Sequence, residues 1–303
     1  MQCSRQPRSF PESLDTMSED PKWPRAASLI SDAESPIGII DIPASKTSIS
    51  PTNAHLTPAA IRSAMSRFST YSYTTARDLS ELSLQDLGAI PDPDSNEQAT
   101  IAAIAAADKE LTIALGGDNS ITYAAMVGAF NQDLTQASLI TLDAHHDLRD
   151  GISNGSPVRR LIEAGLNPKN IVQIGINDFS NSAQYARLAH DLGITVISRT
   201  KLAEIGIERA CQQALEQLPG KIFVDIDVDV CDRSIVPACP AAAPGGISAF
   251  ELRQAARLLA ASSQVTGMDI TEIDADKDSE DQRTIRLGAL LVLEMVAGFQ
   301  TRN

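Results

Sequence analysis

The chain is short of basic residues, of long apolar runs, of paired cysteines and of aromatics, and each shortage excludes a class of protein. Lysine and arginine number 25 against 39 acids, giving a net charge of −14 and a pI near 4.7. That balance excludes nucleic acid and an anionic membrane surface as partners. No segment reaches the apolar length needed to span a bilayer. The four cysteines, Cys3, Cys211, Cys231 and Cys239, show neither CxxC spacing nor a disulfide framework, so reduced thiols in a cytoplasmic protein are expected. Arg5 and Arg8 are followed by no apolar stretch, so no secretory leader is expected. With 4% aromatics, the core has to be aliphatic. Gly116-Gly117 lacks the Lys and Ser/Thr of a phosphate loop.

What is present is acid in unusual places. Asp143-Ala-His145-His146-Asp147 follows the apolar run Ser138–Leu142, and Asp225-Ile-Asp227-Val-Asp229-Val-Cys-Asp232 follows the run 221–224. Carboxylates at the end of a buried strand are costly unless a cation neutralises them. Along an extended strand Asp143, His145 and Asp147 share one face, and Asp225, Asp227 and Asp229 another. One imidazole among several carboxylates suits a divalent metal site, and more than one bridging carboxylate suits two ions. A single Ca²⁺ or Mg²⁺ fits His145 poorly, because those ions prefer oxygen.

Apolar runs and helical patterns alternate along residues 35–303, which predicts an α/β fold: three α/β/α layers around a mostly parallel sheet of about seven or eight strands, in a single catalytic domain. Residues 1–34, rich in Ser, Pro and charge, are expected to be a flexible N-terminal arm. Residues 85–97 are expected to be a loop, and residues 203–218 one helix. Ligands of parallel sheets sit at the carboxyl ends of strands. Gly116-Gly117-Asp118-Asn119, Asp143 to Asp147, Asp227 to Asp232 and Glu272 are all expected there, on one rim.

Those four segments, in that order and spacing, resemble the ureohydrolase family of arginases, agmatinases and formimidoylglutamases, over about residues 36–300. Gly116-Gly117-Asp118-Asn119-Ser120 is similar to the family's Gly-Gly-Asp-His-Ser, and Asp143, His145 and Asp147 to its Asp-Ala-His-x-Asp. Asp227, Asp229 and Asp232 match its Asp-x-Asp-x-x-Asp, with Arg233 where proline is usual, and Glu272 matches its final acid. The resemblance implies an arginase-like fold, two divalent ions such as Mn²⁺, and a trimer or hexamer of this chain. It implies that Asp143 and Asp227 bridge the ions, that His145 and Asp229 serve one, and that Asp147 and Asn119 serve the other. It implies hydrolysis of a linear amidine or guanidine C–N bond by a hydroxide held between the ions. Asp147 would carry the proton and Glu272 would face the substrate's cationic end.

Two histidines of that pattern are missing. Asn119 stands where the family has a metal-binding His, and an amide oxygen is a poorer ligand for a transition metal. Asn154 stands where many relatives have His before Gly, and it can bind or position substrate but cannot shuttle a proton. His146 reads as a residue behind the metal ligands, and Cys231 and Cys239 as small buried apolar groups. The Asp232-Arg233 variant and Ala243-Pro244-Gly245-Gly246 are most similar to formimidoylglutamases. An anionic substrate would need cations, and Arg149, Arg159 and Arg160 follow the second motif. Arg159 is therefore expected to bind substrate with Asn154 and Glu272. The expected reaction is N-formimidoyl-L-glutamate to L-glutamate and formamide. The alternatives are an agmatinase or guanidino-acid hydrolase releasing urea, and a catalytically silent partner subunit.

Overall fold

The computed structural model describes residues 20–302 of the chain. Its strands are β1 (Ile30–Ser31), β2 (Ile37–Ile42), β3 (Tyr71–Ser72), β4 (Arg77–Asp78), β5 (Leu84–Ala89), β6 (Leu111–Gly116), β7 (Ala137–Leu142), β8 (Ile171–Ile176), β9 (Thr195–Ser198), β10 (Lys221–Ile226) and β11 (Val265–Ile270). Its α-helices are α1 (Thr57–Met65), α2 (Glu97–Ala107), α3 (Ile121–Ala129), α4 (Pro157–Glu163), α5 (Ala183–Leu192), α6 (Arg199–Ile205), α7 (Ile207–Gln217), α8 (Ala249–Ala260) and α9 (Arg283–Phe299). None of these helices is long and apolar enough to cross a membrane.

Nine strands form one sheet in the order β1-β5-β2-β6-β11-β10-β7-β8-β9, and every pairing in it is parallel. Alternation along each strand divides the core into two layers. Ile37, Ile39, Ile113, Val224 and Ile226 face a layer that includes residues of α1, α7, α8 and α9. Ile40, Ile42, Ala114, Leu139 and Phe223 face one that includes residues of α3, α4 and α5. The three-layer expectation is met. Helix ends follow from local chemistry: Ser248 and Glu251 close a reciprocal capping box on α8, Asn96 caps α2, and Pro157 occupies the first turn of α4.

Several expectations change. The sheet has nine strands rather than seven or eight, because Ile30–Ser31, in the expected arm, forms β1, and Leu84–Ala89, of which 85–89 was read as loop, forms β5 between β1 and β2. Its half-polar pattern hides it, since only Leu84 of that strand is buried. The helix expected over 203–218 is two, broken at Gly206, which takes φ +79°. Of the expected arm, residues 1–19 lie outside the described residues. Within 20–34, Ala26 and Leu29 are buried and β1 joins the sheet edge, so this part is docked on the fold.

Four strands adjacent in the sheet, β6, β11, β10 and β7, end at the four acidic or Gly-rich segments. Their order in the sheet differs from their order in the chain, so residues up to 153 positions apart meet, as in the hydrogen bonds from Asn119 to Asp147 and to Glu272. Gly117 is required at the first turn: a Cβ there would lie 1.7 Å from the Ala44 carbonyl oxygen. Gly246 is required equally, since its Cβ would come within 2.2 Å of the Cys231 carbonyl carbon.

Candidate functional site

Past the strand ends the backbone is not extended, so simple alternation does not place the acids. Asp143 leaves β7 with its amide bonded to Ile174 at 3.1 Å, and Asp147 takes φ +51°. Asp227 caps a single 3-10 turn, Val228–Val230, through a bond from the Asp229 amide to its Oδ1 at 2.8 Å. Glu272 takes φ +66° immediately past Thr271. Left-handed backbone at two non-glycine acids of one cluster is strain held by the surrounding bonds.

The turn brings Asp229 onto His145. His145 Nδ1 lies 2.7 Å from Asp229 Oδ2 and 3.5 Å from Asp143 Oδ1. The His145 amide donates to Asp143 Oδ1 at 2.6 Å, and the Ala144 amide donates to Asp229 Oδ1 at 2.9 Å. Ligand-capable atoms of Asp143, His145 and Asp229 all lie within 4.8 Å of one another. Asp143 Oδ2 is buried and has no hydrogen-bond partner among the described residues.

Around that trio Asp147, Asp225, Asp227, Asp269 and Glu272 are also buried. Burial first, then the negative charge of Asp229, pushes the Asp143 carboxyl up to about 7. Burial and neighbouring acids push Asp147 and Asp227 well above the usual carboxylate range. Burial also lifts Glu272 to about 7, against hydrogen bonds from Asn154 and Asn119 that lower it. For His145, burial opposes the charged imidazole, but Asp229 and Asp143 outweigh it and raise the ring to about 12. So many carboxylates sharing one imidazole are short of positive charge. The orphaned Asp143 oxygen and the mixed N/O donor set fit a divalent transition metal.

Asn119 behaves differently from the acids. Its Nδ2 donates to Asp147 Oδ2 at 2.6 Å, while its Oδ1 accepts from the Thr122 and Thr271 hydroxyls at 2.8 and 3.0 Å. The oxygen a metal would use is thus occupied by two hydroxyls. His146, 4% exposed, is tied to Gln173 through Nδ1 at 2.7 Å and stands outside the Asp143–His145–Asp229 group.

A cavity of about 330 Å³ opens over the cluster, the size for a small metabolite. His145, Asp147, Asp227, Asp229 and Glu272 form its floor, and Asn154, Arg149, Ile49, Asn181 and Tyr185 are among its walls. The expectation for Arg159 is corrected. It pairs with Asp150 and Glu163 at 2.6 and 3.0 Å and does not line the cavity. Arg160 is also engaged elsewhere, bidentate to Glu97 and 3.7 Å over the Tyr123 ring. Arg149 is the arginine of that loop that reaches the cavity, and it makes no ion pair among the described residues. Sequence reading did not find Thr122, Thr271 or Asp269. An acid inside the apolar run Met268-Asp269-Ile270 was the one visible signal; the two threonines had none.

The fold and the acid cluster define a metal-site α/β protein, and the family model named Arginase family matches residues 35–298. The chain belongs to the arginase family, as its four motifs led one to expect. Formimidoylglutamase of Halalkalibacterium halodurans is 36% identical over 277 residues, covering 86% of each chain. The crystal structure of formimidoylglutamase from Bacillus subtilis superposes with a TM-score of 0.88 at 30% identity, covering 97% of each chain. A Trypanosoma cruzi formiminoglutamase solved with Mn2+2 shares the fold at a TM-score of 0.86 and 23% identity, over 93% of this chain and 100% of that one.

Proposed function

We propose that this chain hydrolyses N-formimidoyl-L-glutamate to L-glutamate and formamide, using two divalent ions, Mn²⁺ foremost. The observation that carries the substrate is the pairing of opposite charges in one cavity: Glu272 on the floor for the formimidoyl cation and Arg149, without an ion pair among the described residues, on the wall for a carboxylate. The formimidoylglutamase relatives support the same substrate. Agmatine, with a cationic tail and no carboxylate, would meet Arg149 with like charge.

In this reading Asp143, His145, Asp227 and Asp229 hold the ions, with Asp147 completing the set. When bound, the ions lower the pKa of a water to near neutrality and polarise the amidine. Glu272 fixes the amidinium by a charge-assisted hydrogen bond, presenting its carbon to the water. Asp147, steadied by the Asn119 amide, takes the water's proton and returns it to the departing nitrogen. Water adds to the formimidoyl carbon, the carbon–nitrogen bond to glutamate breaks, and formamide leaves. We further propose a cytoplasmic location and assembly into a trimer or hexamer. The large exposed side chains Tyr73, Phe179 and Phe250 support self-association, which light scattering tests.

The deciding experiment loads purified protein with Mn²⁺, counts metal by mass spectrometry, and offers formimidoylglutamate, agmatine and 4-guanidinobutyrate. Formamide from the first substrate supports the proposal. Urea from either of the others selects a different ureohydrolase activity. No turnover by protein holding two ions per chain selects the silent-subunit reading.

A further inference from the structure

The segment of residues 45–50 crosses the cavity as a strap, and its ties are few. At one end the amides of Ser45 and Lys46 bond to Asp94 Oδ1 at 3.0 and 2.8 Å, and Lys46 pairs with Asp92 at 2.8 Å. At the other, the Asn53 amide bonds to Asp274 at 3.0 Å. Between those anchors the hydroxyls of Thr47 and Ser48 have no partner among the described residues, while Ile49 and Ser50 line the cavity. The middle of the strap is held by one residue of the facing loop. The Ile49 amide donates to Asn154 Oδ1 at 3.0 Å, and the Asn154 amide donates to the Thr47 carbonyl at 3.4 Å.

The other end of the same carboxamide reaches the floor. Asn154 Nδ2 donates to Glu272 Oε1 at 2.9 Å, the oxygen that also accepts the Asn119 amide at 2.7 Å. Both bonds fall on one oxygen, which leaves Oε2 for a cationic substrate. Every donor and acceptor of the Asn154 side chain that meets protein therefore connects strap to floor, and Gly155 beside it leaves room for Ile49 to press down, a Cβ there lying 3.2 Å from Ile49 Cδ1.

We propose that Asn154 is a positioning residue that couples the 45–50 strap to the carboxylate pairing the substrate's cationic end, so that strap and Glu272 move as one unit. This rests on the role given to Glu272 in the proposed function. The amide is suited to it because a carboxamide donates at one atom and accepts at the other, and keeps both roles at every pH because it does not titrate.

The two halves separate by substitution. Asn154→Ala removes both bonds. Asn154→Asp keeps the acceptor for Ile49 but loses the donor and sets a second carboxylate against Glu272. Each variant is loaded with Mn²⁺, its metal content is checked against the parent, and peptides covering residues 45–52 are followed by hydrogen exchange mass spectrometry. Faster exchange in Asn154→Ala with parent-like exchange in Asn154→Asp is expected. Steady-state kinetics should show KM for formimidoylglutamate raised roughly tenfold to a hundredfold in both, from loss of a hydrogen bond to a charged group, with kcat much less affected. Unchanged exchange in Asn154→Ala, or lower kcat at unchanged KM in both variants, overturns the coupling. The exchange experiment needs no substrate. Strap release in Asn154→Ala alone, with formamide absent even from the parent, upholds the tie to the strap and overturns the substrate reading instead.

Discussion

The two sides of the acid cluster are built to different standards. On the His145 side, Asp143 and Asp229 each take a backbone hydrogen bond on one oxygen and approach one imidazole, with ligand-capable atoms within 4.8 Å of each other. On the Asn119 side, the amide spends its donor on Asp147 and its oxygen on two threonines. The first side needs only to exchange the proton that His145 holds between Asp229 and Asp143 for a cation. The second has satisfied its own polar groups and must break hydrogen bonds before its amide oxygen can serve. A shared strand rim thus gives two half-sites of unequal readiness, and the ion on the His145 side is expected to bind more tightly.

The strongest way to break that comparison is to remove its better half. His145→Ala should abolish tight metal binding and cut formamide release by at least about a hundredfold, the upper end of what loss of a supporting metal contact costs. Parent-like activity with full metal content would sink the assignment. Asn119→His should have the opposite sense, raising metal content at equal free Mn²⁺ by filling the weaker half.

Acid repulsion in the absence of metal gives the next effect. Asp143 and Glu272 are raised to about 7 from ordinary values of 3.8 and 4.5, so the folded chain holds protons that the unfolded chain has released. Metal-free stability should fall as pH rises from about 4 to about 7. The His145 ring, raised from 6.5 to about 12, contributes stability that is complete below 6.5 and lost as pH climbs towards 12, so it opposes nothing in the lower window. Melting curves in chelator across that range provide the check, and a midpoint rising with pH would contradict it. With Mn²⁺ in excess the slope should reverse, because ions then replace protons.

Arg149, in the loop before α4, and Arg159, within α4, sharpen the contrast. Arg149→Ala should raise KM for formimidoylglutamate by roughly tenfold to a hundredfold, the worth of one charge-assisted bond. Equal KM would remove Arg149 from the substrate. The smallest effect is expected for Arg159→Ala, whose surface pairs with Asp150 and Glu163 are worth at most about 1 kcal/mol. Its KM should match the parent, and a calorimetric melt should shift only slightly.

How far the sequence could be read depended on whether a signal was local. Apolar runs such as Leu139–Leu142 and Phe223–Val224 announced central strands because both faces of a parallel sheet are buried. Leu84–Ala89 did not, since an outer strand with half-exposed side chains needs no apolar run. The acids were legible because buried carboxylates are improbable without a purpose. Arg159 was misplaced because Arg149, Arg159 and Arg160 look alike in sequence, and only the direction of each side chain separates an ion pair from a cavity wall.

The sequence by itself determined the alternation of strands and helices, the acid-rich strand ends and the family to which they belong, because periodicity and motif spacing are properties of neighbours along the chain. Tertiary structure alone decided that β6, β11, β10 and β7 lie side by side, that Thr122 and Thr271 turn the Asn119 amide towards Asp147, and that Asn154 spans from Ile49 to Glu272. Those contacts join residues far apart in sequence, and a hydrogen bond depends on distance and direction in space, which one-dimensional order does not carry.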